Sequence, residues 1–270
     1  MRVFVRLLPV LAASLLLTGC ITSITSIKLR PDGGGTIEQT LTMSAAAAAQ
    51  AAAFAKNFGG DTAGGKAEPE FFTEQEMKEA ATKFGSGVTF VSSTPIKTAD
   101  RVGRVATYQF ADITRLKIEQ RPQAPDIPAA ATASEDVLFR FAKQPAGTSV
   151  LTVVFPDAKL EQARNEAAKK QGTAKPAVDP AQMEMMKKLL DGLRLEIAVD
   201  VLGTIVQTNS PHVQGSRVTL LEMDFKELLA NDALIAKIGQ PGSIEEAKQL
   251  LAGVKGFKVN LDREVNIEFK

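Results

Sequence analysis

The chain has 270 residues and carries 32 Lys and Arg against 31 Asp and Glu, a formal charge of +1 with the two signs interleaved along its length. That balance offers no basic stripe for a nucleic-acid backbone, and a single cysteine with a single histidine supplies neither a disulfide nor the ligands of a thiolate or imidazole metal site. A hydrophobic content of 44% over this length can bury one large core or two smaller ones.

Arg2 and Arg6 flank the start of an almost wholly apolar run over residues 7–17, followed by the small residues Thr18 and Gly19. This is the layout of a signal peptide. The run is roughly half of the ~20 residues a membrane-spanning helix needs, so it reads as a segment to be removed. It ends in Leu17-Thr18-Gly19-Cys20, which resembles the lipobox of bacterial lipoproteins. The resemblance implies a diacylglycerol on the Cys20 thiol, cleavage after Gly19 and acylation of the freed amine, so that residues 1–19 are a cleaved signal peptide and Cys20 is the lipidation site. Two or three acyl chains hold a protein on a membrane for far longer than one. Ile21 and Thr22 stand where an aspartate would mark inner-membrane retention, so the resemblance implies the periplasmic side of the outer membrane in a host with two membranes. Loss of Arg2 and Arg6 takes the formal charge from +1 to −1.

The mature chain reads as α+β, antiparallel β-hairpins and sheet packed with several helices. Its first half, residues 20–119, opens on Ile24, Ile27 and Leu29, then the turn composition Pro31-Asp32-Gly33-Gly34-Gly35, then Ile37, Leu41 and Met43, which together predict a hairpin. Many lipoproteins carry a long polar tether here; strand-like sequence at once places the folded body near the bilayer. Ser44 caps an expected alanine-rich helix over residues 45–58, with Phe54 and Phe58 one turn apart. Residues 59–70 read as a loop. Thr73 and Glu76 have capping-box spacing, with Phe72 placed to staple against Met77, so a second helix is expected to end near Gly85. Residues 88–92 and 104–110 are strand-like around Asp100-Arg101-Val102-Gly103, and Asp112 caps a short helix at Ile113.

Residues 120–134 form a Pro/Ala-rich linker, and residues 135–270 a second α+β half. Residues 137–141 and 150–155 predict another hairpin. Two helices are expected over residues 158–171 and from Asp179-Pro180 to about Gly192. Residues 193–201 alternate apolar and polar like a strand with one wet face, and residues 218–223 close a hairpin with them. Further helices start at Asp224, Asn231 and Ser243, and Phe257, Val259, Leu261, Val265, Ile267 and Phe269 share one parity as a terminal strand segment. The run Lys97-Thr98-Ala99-Asp100 to Asp112 lies beside Gln207-Thr208-Asn209-Ser210 to Asp224 as a pair of turn, Arg-Val and capping Asp, which suggests duplication of a hairpin-helix-helix-hairpin unit.

The catalytic motifs of common enzymes are missing. There is no GxGxxG, P-loop or GxSxG, His212 lies between Pro211 and Val213 without a nucleophile motif beside it, and Glu245 and Glu246 sit where negative charge favours a helix N terminus. No catalytic, metal or cofactor-binding residue is therefore assigned. The small side chains of residues 45–58 and the stripe of Met183, Met186 and Leu190, with Met185 and Leu189 alongside, read as core faces before they read as lipid contacts. Phe71 is a candidate exposed anchor. The Gly-rich first hairpin, the helix after it and the strand over residues 201–209 are similar to LppM-like envelope lipoproteins, a family associated with lipid binding, although this chain ends in Asn266-Ile267-Glu268-Phe269-Lys270 where such proteins can carry a membrane helix. The expected function is a non-catalytic envelope lipoprotein of binding or structural type, held on the membrane through Cys20, with an envelope protein as partner. The alternatives are a carrier of a lipid or other apolar ligand and, third, an enzyme with an unrecognised carboxylate site.

Overall fold

The computed structural model describes residues 21–58, 71–119, 136–145, 147–155, 192–230, 254–260 and 262–270, the side chains of 54–58, 227 and 228 excepted. The signal peptide and Cys20, the loop 59–70, the linker 120–134, the expected helices over residues 158–171 and from 179, those starting at Asn231 and Ser243, Glu245 and Glu246, and the methionine stripe all lie outside the described residues.

The predicted first hairpin forms from β1 (Ile21–Leu29) and β2 (Gly35–Ser44), in continuous register from Ile21 opposite Met43 to Leu29 opposite Gly35. Its turn closes through Gly33 N donating to Arg30 O at 3.1 Å, with Gly33 at φ 92, a left-handed conformation that glycine adopts without penalty. β3 (Thr89–Lys97) and β4 (Arg101–Phe110) add beyond β2, β4 pairing with both. On the other side of β1 lies β8 (Arg194–Val201), followed by β11 (Arg217–Asp224), which also pairs with β10 (Val213–Gln214) and β12 (Phe257–Val259). The result is an eight-stranded sheet in which β1 and β8 run parallel, Thr22 opposite Arg194 and Leu29 opposite Val201. A second, five-stranded sheet runs β5 (Ile118–Glu119), β6 (Asp136–Lys143), β7 (Ser149–Val154), β13 (Glu264–Phe269), β9 (Ile205–Thr208).

The fold class therefore differs from the expected α+β body packed with several helices. More than half of the described chain is strand, and its α-helices are Ala45–Phe58, Glu74–Ala80 and Phe225–Leu229. The physical reason is that two sheets cover each other. Alternate residues of β1, β2, β4 and β8 (Ile27, Ile37, Tyr108, Val199) and of β7 and β13 (Leu151, Val153, Ile267, Phe269) join one core, each of them buried. Capping signals were correctly placed but lead to short segments. Asp112 accepts from Thr114 N at 2.9 Å and starts only the 3-10 turn Ile113–Arg115; Asp224 accepts from Lys226 N at 3.1 Å and starts a helix of five residues.

The local correspondence between residues 97–112 and 207–224 is not kept in the strand pairing, while the helices of the second expected unit lie outside the described residues. β3 pairs with β4, whereas β9, its supposed counterpart, pairs with β13 in the other sheet, and β11 pairs with β8. The terminal segment of common parity splits as well: β12 belongs to the large sheet and β13 to the small one. Asn260 marks the break. Buried at the bulge between Thr219 and Leu221, its Nδ2 donates to Thr219 O and Leu220 O at 2.8 and 2.9 Å, and its Oδ1 accepts from Ser210 Oγ at 2.8 Å. It thereby satisfies carbonyls that a bulged ladder leaves open.

The expected caps hold the Ala45–Phe58 and Glu74–Ala80 helices. Ser44 Oγ accepts from Ala47 N at 3.1 Å, and Thr73 with Glu76 forms the full capping box. Phe72 and Met77 are both buried in the core, while Phe71 packs partly buried against it and is not an exposed anchor. Tyr108, fully buried, lies 4.8 Å from the Phe84 ring and reaches Met77 Sδ at 3.9 Å. Burial pushes its phenol up to about 12. It is the only tyrosine, and there is no tryptophan, so alkaline absorbance titration reads it alone. The native protein is expected to titrate near 12 and the unfolded chain near about 10. The stabilisation from keeping this phenol neutral is complete below the unfolded value and is lost as pH rises through the folded one. A native midpoint near 10 would show that the ring is not sealed from water.

Candidate functional site

Two polar features interrupt an otherwise ordinary pair of sheets. The first lies on the core-facing side of the large sheet. Towards Leu29 this row is apolar, but towards Ile21 it carries Ser23, Thr25, Gln39 and Arg104, all at least nine-tenths buried. Thr25 stands opposite Gln39, and Ser23 opposite Leu41, which in turn faces Arg104. Arg104 is anchored by the backbone: its Nε donates to Phe72 O at 2.9 Å and its Nη1 to Ser93 Oγ at 2.9 Å. The first of these bonds holds Phe72 in its positive-φ conformation (φ 59), which costs a non-glycine residue on the order of 1 kcal/mol. Gln39, 2% exposed, has an Oε1 with no hydrogen-bond partner among the described residues. An orphaned acceptor of this kind is uncommon in a native interior and marks either an absent donor or a small stability cost.

The second feature is a ladder of ion pairs on the opposite side of the same sheet. Alternation on β8 puts Arg194, Glu196 and Asp200 on one face, and β11 brings Arg217 and Glu222 beside them. Arg217 Nη2 donates to Glu196 Oε1 at 2.7 Å, while its Nη1 donates to Asp200 Oδ2 at 2.7 Å and to Ser26 Oγ on β1 at 3.2 Å. Ser26 Oγ donates in turn to Asp200. Arg194 bridges Glu196 at 3.0 Å and Glu222 at 3.5 Å, and Lys258 on β12 meets Glu222 at 2.7 Å. The carboxylates are largely covered, 12%, 22% and 14% exposed for Glu196, Asp200 and Glu222. Burial works against the Arg217 charge, but its bonds and attraction to Glu196 and Asp200 outweigh this and raise its pKa above the ordinary guanidinium value. Three cations thus neutralise three carboxylates on β8, β11 and β12, with Ser26 of β1 bonded to them, an arrangement that ties these strands together and leaves none of the three carboxylates without a cation.

A third place is a surface depression of about 220 Å³ lined by Ser86, Gly87, Phe110, Ala111, Asp112 and Arg115. Its one carboxylate is spent: hydrogen bonds from the Thr114 side chain and backbone hold Asp112 below the usual carboxylate range. His212 serves through its backbone, N donating to Ser210 Oγ at 3.2 Å and O accepting from Thr219 N at 2.9 Å. Among the described residues no three His, Cys, Asp or Glu side chains converge as a metal site, and no helix is long and apolar enough to cross a membrane.

Of the residues singled out from the sequence, Asp112 and Asp224 appear as caps, and Cys20 lies next to the first described residue, Ile21, which is already in β1. The sequence reading missed Gln39, Arg104 and the Arg217 ladder. A strand-phase signal for the first exists, since Gln39 falls in the same parity as Ile37, Leu41 and Met43. The ladder joins residues as far apart as Ser26 and Asp200, for which one chain read alone has no signal.

The class these features define is a two-sheet β protein with a polar seam on each side of its larger sheet. No protein-family model matches the chain, and no curated protein matches it. Among solved structures it is similar to the folded domain of LppM from Mycobacterium tuberculosis, with a TM-score of 0.30 and 11% identity over 75% of this chain and 81% of that one. At that score and identity the likeness transfers no residue role and no activity.

Proposed function

We propose that this chain is a membrane-anchored envelope lipoprotein of binding or structural type, lipidated on Cys20 with residues 1–19 removed, facing the periplasm from the outer membrane where the host has two membranes. The observation that carries the reading is the start of β1 at Ile21, directly after the lipobox-like Leu17-Thr18-Gly19-Cys20. The proposed anchor is thereby joined to a central strand of the large sheet with no spacer. The neutralised ion-pair ladder favours a structural or partner-binding body over an enzyme.

A second reading, carriage of a ligand with an apolar body and one hydrogen-bond donor, is favoured by the orphaned Gln39 Oε1 beside Thr25 in the core-facing row. Three measurements separate the two. Native mass spectrometry of detergent-purified protein is expected to show no adduct, envelope crosslinking is expected to return a defined protein partner, and Gln39→Met is expected to stabilise the fold by about 1–2 kcal/mol because an unsatisfied acceptor is removed. A co-purifying mass that disappears in Gln39→Met, with lower thermal stability, would establish carriage instead.

A further inference from the structure

We infer that residues 72–85 form a hinged cover over the core-facing row of β4, latched by Arg104, and that its opening is the route by which Gln39 meets water or a ligand. Neither the anchor nor a carried ligand is required for this. The helix Glu74–Ala80 runs into the 3-10 turn Ala81–Phe84, and neither belongs to a sheet. Helical pieces of seven and four residues are not stable alone, so packing holds them in place. Phe72, Met77, Ala80, Ala81 and Phe84 are the buried side of this cover. A residue of positive φ bounds it at each end, Phe72 at 59 and Gly85 at 113. At Gly85 a side chain would meet Arg115 O at 2.1 Å, so the chain there is close against its neighbour. Lys117 N donates to Phe84 O at 3.0 Å at that end, and at the other Arg104 Nε donates to Phe72 O at 2.9 Å.

The contacts fix where the cover lies. Phe72 meets Arg104, while Met77 Sδ accepts from Tyr108 Oη at 3.9 Å and the Phe84 ring lies 4.8 Å from that of Tyr108. Between Arg104 and Tyr108 on the same face of β4 stands Ala106, fully buried, and its register partner on β2 is Gln39. The cover therefore spans the row beside which the orphaned Gln39 Oε1 lies. Its closed form carries two costs: the left-handed Phe72 and the acceptor without a partner among the described residues. Opening relieves both, since Phe72 released from the guanidinium can return to an ordinary conformation and water can donate to Gln39. The buried side chains and the Arg104 bond oppose it. Arg104 is held to the sheet independently of the cover, its Nη1 donating to Ser93 Oγ on β3 at 2.9 Å. A short unit outside the ladders, with costs of its own when closed, is the kind that opens below the free energy of global unfolding.

Hydrogen exchange of the purified full chain, followed by mass spectrometry over a series of low urea concentrations, reads the opening. Residues 77–85 are expected to exchange together, before β1, β2 and β8 and with a weaker urea dependence. Arg104→Met should speed their exchange by about tenfold or more, the worth of a hydrogen bond from a charged donor, and by a larger factor than it changes β1 and β8. Access to Gln39 is read separately with Gln39→Cys in the Cys20→Ser chain, where the introduced thiol is the only one. A small alkylating reagent should label it at the opening rate of residues 77–85, while Leu151→Cys, at a fully buried position of β7, is labelled only on global unfolding. Exchange of residues 77–85 with the rate and urea dependence of the sheet would overturn the cover, and the unchanged chain decides this even where Arg104→Met does not fold. Equal acceleration of cover and sheet in Arg104→Met would overturn the latch. Labelling at position 39 only at the rate of global unfolding would overturn the route to Gln39.

Discussion

Cys20→Ser, expressed with the rest of the chain intact in a native-type host, is expected to move the protein wholly from the detergent phase to the aqueous phase on Triton X-114 partitioning. Each buried methylene is worth about 0.8 kcal/mol, and two or three acyl chains therefore hold far more strongly than the exposed surface of the body. The serine hydroxyl cannot be substituted for the thiol in the thioether that the lipobox resemblance implies. The folded body should be unchanged, since Cys20 precedes the sheet and Ile21 keeps its place opposite Met43. Far-UV circular dichroism and thermal unfolding of the variant check that point. Continued detergent partitioning of the serine variant would mean that some other part of the chain binds the membrane.

The second large effect concerns the body. Arg217→Met should destabilise the fold by about 2–4 kcal/mol, toward the lower end of the range for breaking a buried pair because the guanidinium keeps some exposure. The substitution retains the aliphatic stem but leaves Glu196 and Asp200, 12% and 22% exposed, without their shared cation. Removing the stranded Asp200 charge as well, in Arg217→Met with Asp200→Asn, should recover much of the loss, because a desolvated carboxylate left without a cation is what costs the energy, whereas Glu196 keeps Arg194 at 3.0 Å. Lys28→Met is the control. Its pair with Glu38 at 3.0 Å is 43% exposed on both sides, and such pairs contribute between about 0 and 1 kcal/mol. Urea unfolding followed by circular dichroism measures all three. Equal small effects for Lys28 and Arg217 would show that the ladder does not hold the strands together.

Much of the local structure was legible because it is written in short-range chemistry. Pro31 to Gly35 is a turn whichever sheet it serves, Thr73 and Glu76 cap each other across three residues, and the alternation from Leu195 to Val201 states which face of β8 is dry. What could not be read is pairing at a distance. Nothing in residues 21–29 announces a parallel partner at 194–201, although the expected hairpin of β8 with β11 is present on the other edge of β8. β3 extends past Ser92 through Ser93, Thr94 and Pro95, polar residues and an imino acid that an edge strand tolerates and a local reading scores as loop. Helix was over-weighted for a related reason. A capping Asp marks where a helix starts but not how far it runs, and the residues after Asp112 turn back within one 3-10 turn to reach β5.

The buried polar row shows the same limit at the candidate site. Ser23, Thr25 and Gln39 look, in sequence, like the wet side of a hairpin, since strand residues of this kind usually face solvent. The sheet turns them inward because Ile21, Ile27 and Leu29 share their parity and must be covered. Only the opposing pairs in the register reveal that these polar side chains lie together, next to the end of the strand from which the proposed anchor departs.

The most direct test of that anchor is the intact mass of the protein purified with detergent from its native host. The account predicts a chain starting at Cys20, heavier than the bare polypeptide by a diacylglycerol and, where the amine is acylated, one further fatty acid. A mass corresponding to residues 1–270, or to a processed chain with a free thiol, would contradict it.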